Sequence, residues 1–205
     1  MRIEQVTSTG GGRKLLSALA ALLIVGAAPV FAHAETDPVI ARIQTLDDAL
    51  VAGAKAGTLS SPKVRETLRE SFNLTVMAQV AVGAPWGTMS DKEHAAVVEA
   101  MSRYTEARYA REFRDFNNQT IVIDPVVQSR GPDRLVKAEI REKGEPPLKL
   151  GYRLREYNGQ WRIIDVIYNG VSQLATQRSE FAETIRTGGA AGLVKSLDQA
   201  TARLK

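Results

Sequence analysis

Apolar residues recur at helical spacing in the first half of the chain and at strand spacing in the third quarter. The order expected is therefore helices, then strands, then helices. Asp37-Pro38 is a cap followed by proline at the first helical position. Val39, Ile43, Leu46 and Leu50 follow at intervals of three and four, up to Gly57. Ser61-Pro62 repeats the start signal, with Val64, Leu68 and Phe72 on one face. A short apolar segment, Leu74 to Val82, is closed by Gly83 and Pro85, and the stretch to Gly87 has a composition suited to a mobile rim. Ser90 and Glu93 are spaced as a capping box, opening the longest helix at about 91–115. Its stripe runs Val97, Met101, Tyr104, Tyr109 and Phe113.

The period then drops to two. Thr120 to Val127 is rich in β-branched residues, and Gly131-Pro132 marks a turn. Val136, Ala138 and Ile140 alternate with Lys137, Glu139 and Arg141; Leu148, Leu150, Tyr152 and Leu154 alternate with Lys149, Arg153 and Arg155. Asn158-Gly159 signals a two-residue hairpin turn, after which Gln160 to Tyr168 returns as the last strand. The pattern predicts an α+β fold with helices covering the apolar face of a curved four-stranded antiparallel sheet. Such a sheet closes over a dry core or opens into a cone-shaped cavity. Two helices end the chain, one marked by Leu174, Phe181 and Ile185 and stopping at Gly188-Gly189. The other carries Leu193, Leu197, Ala200 and Leu204.

The N-terminus reads differently. Arg13 and Lys14 precede a run, Leu15 to Ala28, that is apolar except for Ser17, and Ala32-His33-Ala34 supplies a small-x-small cleavage site. Residues 1–34 are expected to be a secretory signal and residues 35–205 one domain. Removing Arg2, Arg13, Lys14 and Glu4 leaves 24 basic and 22 acidic residues, so the formal charge falls from +4 to +2. With no dense basic stripe, a nucleic-acid partner is not expected. Cysteine is absent and only His33 and His94 could offer imidazole, so neither disulfides nor a transition-metal site is expected. His94, in the first turn of its helix, reads as a solvated surface group.

One candidate for chemistry stands out. With a two-residue turn, Tyr157 pairs with Gln160, and Tyr152 then lies opposite Asp165. A buried carboxylate beside a tyrosine is suited to general-base work. Two other readings compete: Asp165 is hydrogen-bonded and holds the sheet, or a bulge turns it outward. One residue of register decides, and residues 162–168 are apolar on both faces.

Trp161, Asp165-Val166, Gly170-Val171-Ser172 and Arg178-Ser179-x-Phe181 occur in an order that resembles the periplasmic lipid-binding MlaC, or toluene-tolerance, family. Val82-Gly83-x-x-Trp86, Tyr104, Tyr109 and Gly188-Gly189 extend the resemblance over essentially all of residues 35–205. The wording SQLATQRSEF and RYTEARYAREF is similar to the hopanoid-associated HpnM branch, and Gln173 stands where typical members have leucine. The resemblance implies an NTF2-like fold with an apolar pocket between sheet and helices. It also implies a carrier, without cofactor or catalytic residues, that shuttles a phospholipid or hopanoid between an inner-membrane transporter and an outer-membrane acceptor complex. The pocket is expected to be lined by Met77, Val80, Trp86, Met101, Tyr104, Val136, Ala138, Ile140, Leu150, Tyr152, Leu154, Ile163 and Phe181. The alternative is an NTF2-like enzyme using Asp165 and Tyr152 on a small apolar substrate.

Overall fold

The helix starts marked by polar caps are made as hydrogen bonds in the computed structural model, which describes residues 36–204. The segment read as a secretory signal, residues 1–34, lies outside the described residues. Asp37 accepts the Val39 N–H at 2.8 Å and opens α1 (Pro38–Ala56), which ends on Gly57 in the left-handed conformation. Ser61 accepts from Val64 to open α2 (Pro62–Ser71), and Asn73 accepts from Val76 to open α3 (Leu74–Val82). The apolar segment is thus a helix, followed by a short 3₁₀ turn over Ala84–Thr88. Ser90 and Glu93 bond each other reciprocally at the head of α4 (Asp91–Glu112).

The strands are β1 (Thr120–Arg130), β2 (Asp133–Arg141), β3 (Leu148–Tyr157), β4 (Gln160–Tyr168) and β5 (Val171–Ser172), side by side in that order and antiparallel throughout. The sheet has five strands where the pattern predicts four. Asn169-Gly170 makes the difference: at φ 47° and 87° it repeats the backbone of Asn158-Gly159, at 52° and 76°, and so forms a second tight turn. The last element, α5 (Gln173–Leu204), is broken at Gly189, whose φ 56° and ψ −153° are open essentially to glycine alone. The two closing helices expected from the sequence are its two parts.

Two irregularities shape the sheet. On the edge strand β1, Ile123 faces Ala138 and Val127 faces Val136, so Asp124, Pro125 and Val126 stand against Lys137 alone. Pro125 has no N–H to offer the ladder there. On β4, Leu154 faces Ile163 but Arg153 faces Asp165, leaving Ile164 as an extra residue. The inner face is built of rows across the strands: Val127, Val136, Tyr152 and Val166 in one, Ile123, Ala138, Leu150 and Tyr168 in the next. Ile43, Leu46 and Leu50 of α1, Phe72, and Met101 of α4 join Val136, Leu154 and Ile163 in one buried apolar cluster, which Leu193 and Leu197 of α5 extend.

Candidate functional site

The wedge between the sheet's inner face and the helices gathers most of the residues expected to line a pocket. Met77, Met101, Val136, Ala138, Leu150, Tyr152, Leu154 and Ile163 are buried in one apolar cluster, and Trp86, Tyr104, Ile140 and Phe181 are half-buried against it. Val80 is 39% exposed on the solvent side of α3. Trp86 is held by His94: the rings stack with centroids 4.1 Å apart, and Nε2 donates to the Trp86 carbonyl oxygen at 2.8 Å. His94 is therefore half-buried rather than solvated as the sequence suggested, because the 3₁₀ turn folds back over the first turn of α4.

Asp165 and Tyr152 do not meet. The extra residue Ile164 shifts the register by one, so Tyr152 faces Val166 and Asp165 shares the opposite face with Arg153. There Asp165 caps the start of α5. Its Oδ1 accepts the Leu174 N–H at 3.1 Å and its Oδ2 the Ser172 hydroxyl at 2.7 Å, with the Arg153 guanidinium 3.6 Å away. The pairing that an enzymatic reading needs is corrected by this register, and the carboxylate is a structural cap.

Tyr152 instead finds a carboxyl on α1. Its hydroxyl donates to Asp47 Oδ1 at 3.3 Å, and the Asp47 Oδ2 has no hydrogen-bond partner among the described residues. Asp47 is only 5% exposed. Burial, reinforced by the neighbouring Asp48 charge and only partly offset by the tyrosine hydrogen bond, pushes its pKa up to about 7. The sequence reading passed over Asp47, yet the signal was present: it sits four residues after Ile43 and three before Leu50, on the buried stripe. Nearby, the Tyr168 hydroxyl donates to Glu112, Arg108 bonds Glu112 at 2.7 Å and Gln173 at 3.0 Å, and its guanidinium lies over the Tyr168 ring. Burial pushes the Tyr109, Tyr152 and Tyr168 hydroxyls up, so all three stay protonated at neutral pH.

Two clefts open beside the edge strand and share Ile123. One, of about 430 Å³, reaches Ala138 and Leu150 past Val122 and Pro125, with Asp124, Lys137, Glu139, Arg141 and Lys149 making up the rest of its wall with Ile123. The other, of about 450 Å³, lies between α1 and the start of β1 and has Asp47 in its wall. A third groove, of about 740 Å³ between α4 and α5, is lined by Ala96, Ala190, Val194 and Ala202 among charged neighbours. No group of three or more metal-ligating side chains occurs among the described residues, and no helix among them is long and apolar enough to cross a membrane.

The model of the MlaC protein family matches residues 42–199. The toluene tolerance protein ttg2D of Pseudomonas putida is 26% identical over 101 residues, 46% of this chain and 47% of that protein, so the chain spans about half the length of this relative. The intermembrane phospholipid transport system binding protein MlaC of Haemophilus influenzae is 21% identical over 145 residues, 68% of this chain and 67% of that protein. Among solved structures, the phospholipid-binding protein from Ralstonia solanacearum, determined in complex with a phospholipid, matches with a TM-score of 0.68 and 23% identity. The match covers 81% of this chain and 98% of that one, and it identifies the fold.

Proposed function

The chain belongs to the MlaC family, and from that premise we propose that it is a periplasmic lipid carrier of NTF2-like fold. A phospholipid or hopanoid would be held in an apolar pocket between the sheet and the helices. The observation that carries the reading is the apolar inner face of the sheet, where Val136, Ala138 and Leu150 are buried against the helices and Ala138 and Leu150 also reach the cleft at the edge strand. The resemblance of SQLATQRSEF to the HpnM branch supports the hopanoid, and the relatives' names support the phospholipid. The partners on this reading are an inner-membrane transporter and an outer-membrane acceptor complex.

Energetics suit a carrier. Burying a chain of about 16 carbons gains about 13 kcal/mol against water, at ~0.8 kcal/mol per methylene. Against a bilayer the gain is near zero. Such a pocket keeps a lipid from water and still gives it up to a membrane partner. Mass spectrometry of lipid extracted from the purified protein tests the reading. A defined phospholipid or hopanoid supports it, and protein that neither carries nor takes up lipid overturns it.

Ala138 provides a sharper check. It is buried, stands between Ile123 and Leu150 in its row, and borders the 430 Å³ cleft. Ala138→Phe is expected to fill space that the lipid uses, leaving thermal stability near normal and lowering co-purified lipid several-fold. In a filled core the same ring would cost about 1–3 kcal/mol. A large drop in melting temperature with lipid content unchanged would assign Ala138 to dry packing.

Residues 1–34 on this reading direct export and are removed, so the mature protein begins at Glu35. Intact-mass measurement of the secreted form is expected to show this. A species that keeps residues 1–34 in the membrane fraction marks an anchor instead.

A further inference from the structure

We propose that the cleft between α1 and the start of β1 receives the polar end of the ligand, with Asp47 Oδ2 accepting a hydrogen bond from a ligand hydroxyl. The inference rests on the lipid-carrier reading and names the class of lipid end that the site favours.

One buried carboxylate oxygen lacks a partner among the described residues. Asp47 is 5% exposed, its Oδ1 is taken by Tyr152, and its Oδ2 is unpartnered among the described residues. A buried acceptor without a donor is costly, so native proteins keep few of them. Asp47 itself lines a cleft of about 450 Å³. The cleft's apolar lining continues into the core: Phe116 is buried in the apolar cluster, and Val51, Ile121 and Ile123 pack against it. A ligand with an apolar body and a polar end meets both kinds of surface here.

The charge around the cleft selects the end. Asp47 and Asp48 both line it, with Lys55 the one cation among the lining residues. A fully ionised phosphate has no proton to donate to the ionised carboxylate and is repelled by it and by Asp48, so an anionic end is disfavoured above neutral pH. A hydroxyl donates to the ionised carboxylate and accepts from the protonated acid. It therefore satisfies a carboxyl that titrates near neutrality in either form. An ammonium can serve only one of the two forms.

The test uses two lipids that share both acyl chains. The purified protein, stripped of lipid, is incubated with phosphatidylcholine vesicles carrying dipalmitoylglycerol, whose end is a free hydroxyl, or dipalmitoyl phosphatidic acid, whose end is a phosphate. Bound lipid is counted by mass spectrometry. The native protein is expected to load the diacylglycerol at least tenfold over the phosphatidic acid. Asp47→Leu, close in volume, is expected to bring that ratio near one, and Asp47→Asn, which keeps a polar group in the cleft, to leave it intermediate. If Asp47→Leu does not fold, the native ratio and the Asn variant decide. Equal loading by the native protein, a preference for phosphatidic acid, or a ratio unmoved by substitution overturns the assignment while leaving the carrier reading intact. Uptake of phosphatidylcholine with neither test lipid overturns the assignment alone, and protein that takes up no lipid at all overturns both.

Discussion

At pH 8, Asp47→Asn is expected to make the protein more stable by about 2–4 kcal/mol, although it removes a charge and adds no contact. The reason lies in the difference between folded and unfolded titration. The carboxyl has an ordinary value of 3.8 and is pushed up to about 7 by burial on α1. Below the ordinary value both states hold the proton and the group costs nothing. As the pH rises toward 7 the unfolded chain releases the proton first, and stability falls by up to ~1.4 kcal/mol per pH unit. Above 7 both states are ionised and the full cost stands. Asparagine keeps the size and an oxygen for the Tyr152 hydroxyl, but carries no charge to desolvate. Urea unfolding of both proteins at pH 5 and pH 8 checks this. The variant's advantage should grow by roughly 2–3 kcal/mol between the two. Parallel pH profiles would mean that Asp47 is hydrated in solution. A buried carboxyl that weakens the fold at neutral pH is the kind of cost retained for function.

Asp165→Ala is expected to act in the opposite direction, lowering stability by about 3–4 kcal/mol. Three groups lose their partner at once: the Leu174 N–H at the head of α5, the Ser172 hydroxyl and the nearby Arg153 guanidinium. The carboxylate is 3% exposed, so water does not readily take its place. Asp165→Asn keeps one acceptor and should lose roughly half as much. Neither change touches the inner face of the sheet, so lipid content per folded molecule should remain near normal. Urea titration alongside lipid extraction separates the two effects. Loss of a measurable turnover in Asp165→Asn, with fold and lipid unchanged, would restore the enzymatic reading.

What could be read in advance follows the range of the interactions involved. The caps at Asp37 and Ser61, the reciprocal pair of Ser90 and Glu93 and the turn at Asn158-Gly159 are decided within four residues, and all are made. Asn169-Gly170 carried the same short-range signal as Asn158-Gly159, and the fifth strand was legible from it. The bulge at Ile164 was not. From Arg162 to Tyr168 the residues suit either face, so alternation has nothing to choose between, and the choice falls to tertiary packing. The capping of α5 by Asp165 makes the bulged register favourable, and that contact spans nine residues. Asp47 was hidden for a different reason. An acidic residue in a helix is ordinarily solvated, and the hydroxyl that partners Asp47 comes from Tyr152, which is 105 residues away.

That separation has a bearing on how the polypeptide emerges from the ribosome. Ile43, Leu46 and Leu50 of α1 lie in one buried cluster with Val136, Leu154 and Ile163 of β2, β3 and β4, and Asn73 donates its N–H to the Ile163 carbonyl only once β4 exists. The first four helices are thus made before the sheet and the last helix that shelter them. At elongation rates of about 5–20 residues per second, the gap between Asp47 and Tyr152 leaves the sheet-facing side of the first helix uncovered for some 5–20 seconds. The strands, each paired with its sequence neighbour, can zip quickly through two tight turns once they appear. The nascent chain is therefore a run of unsheltered amphipathic helices for most of its synthesis. In that interval it is open to capture by a chaperone or a translocation machine, and only its last third commits it to fold.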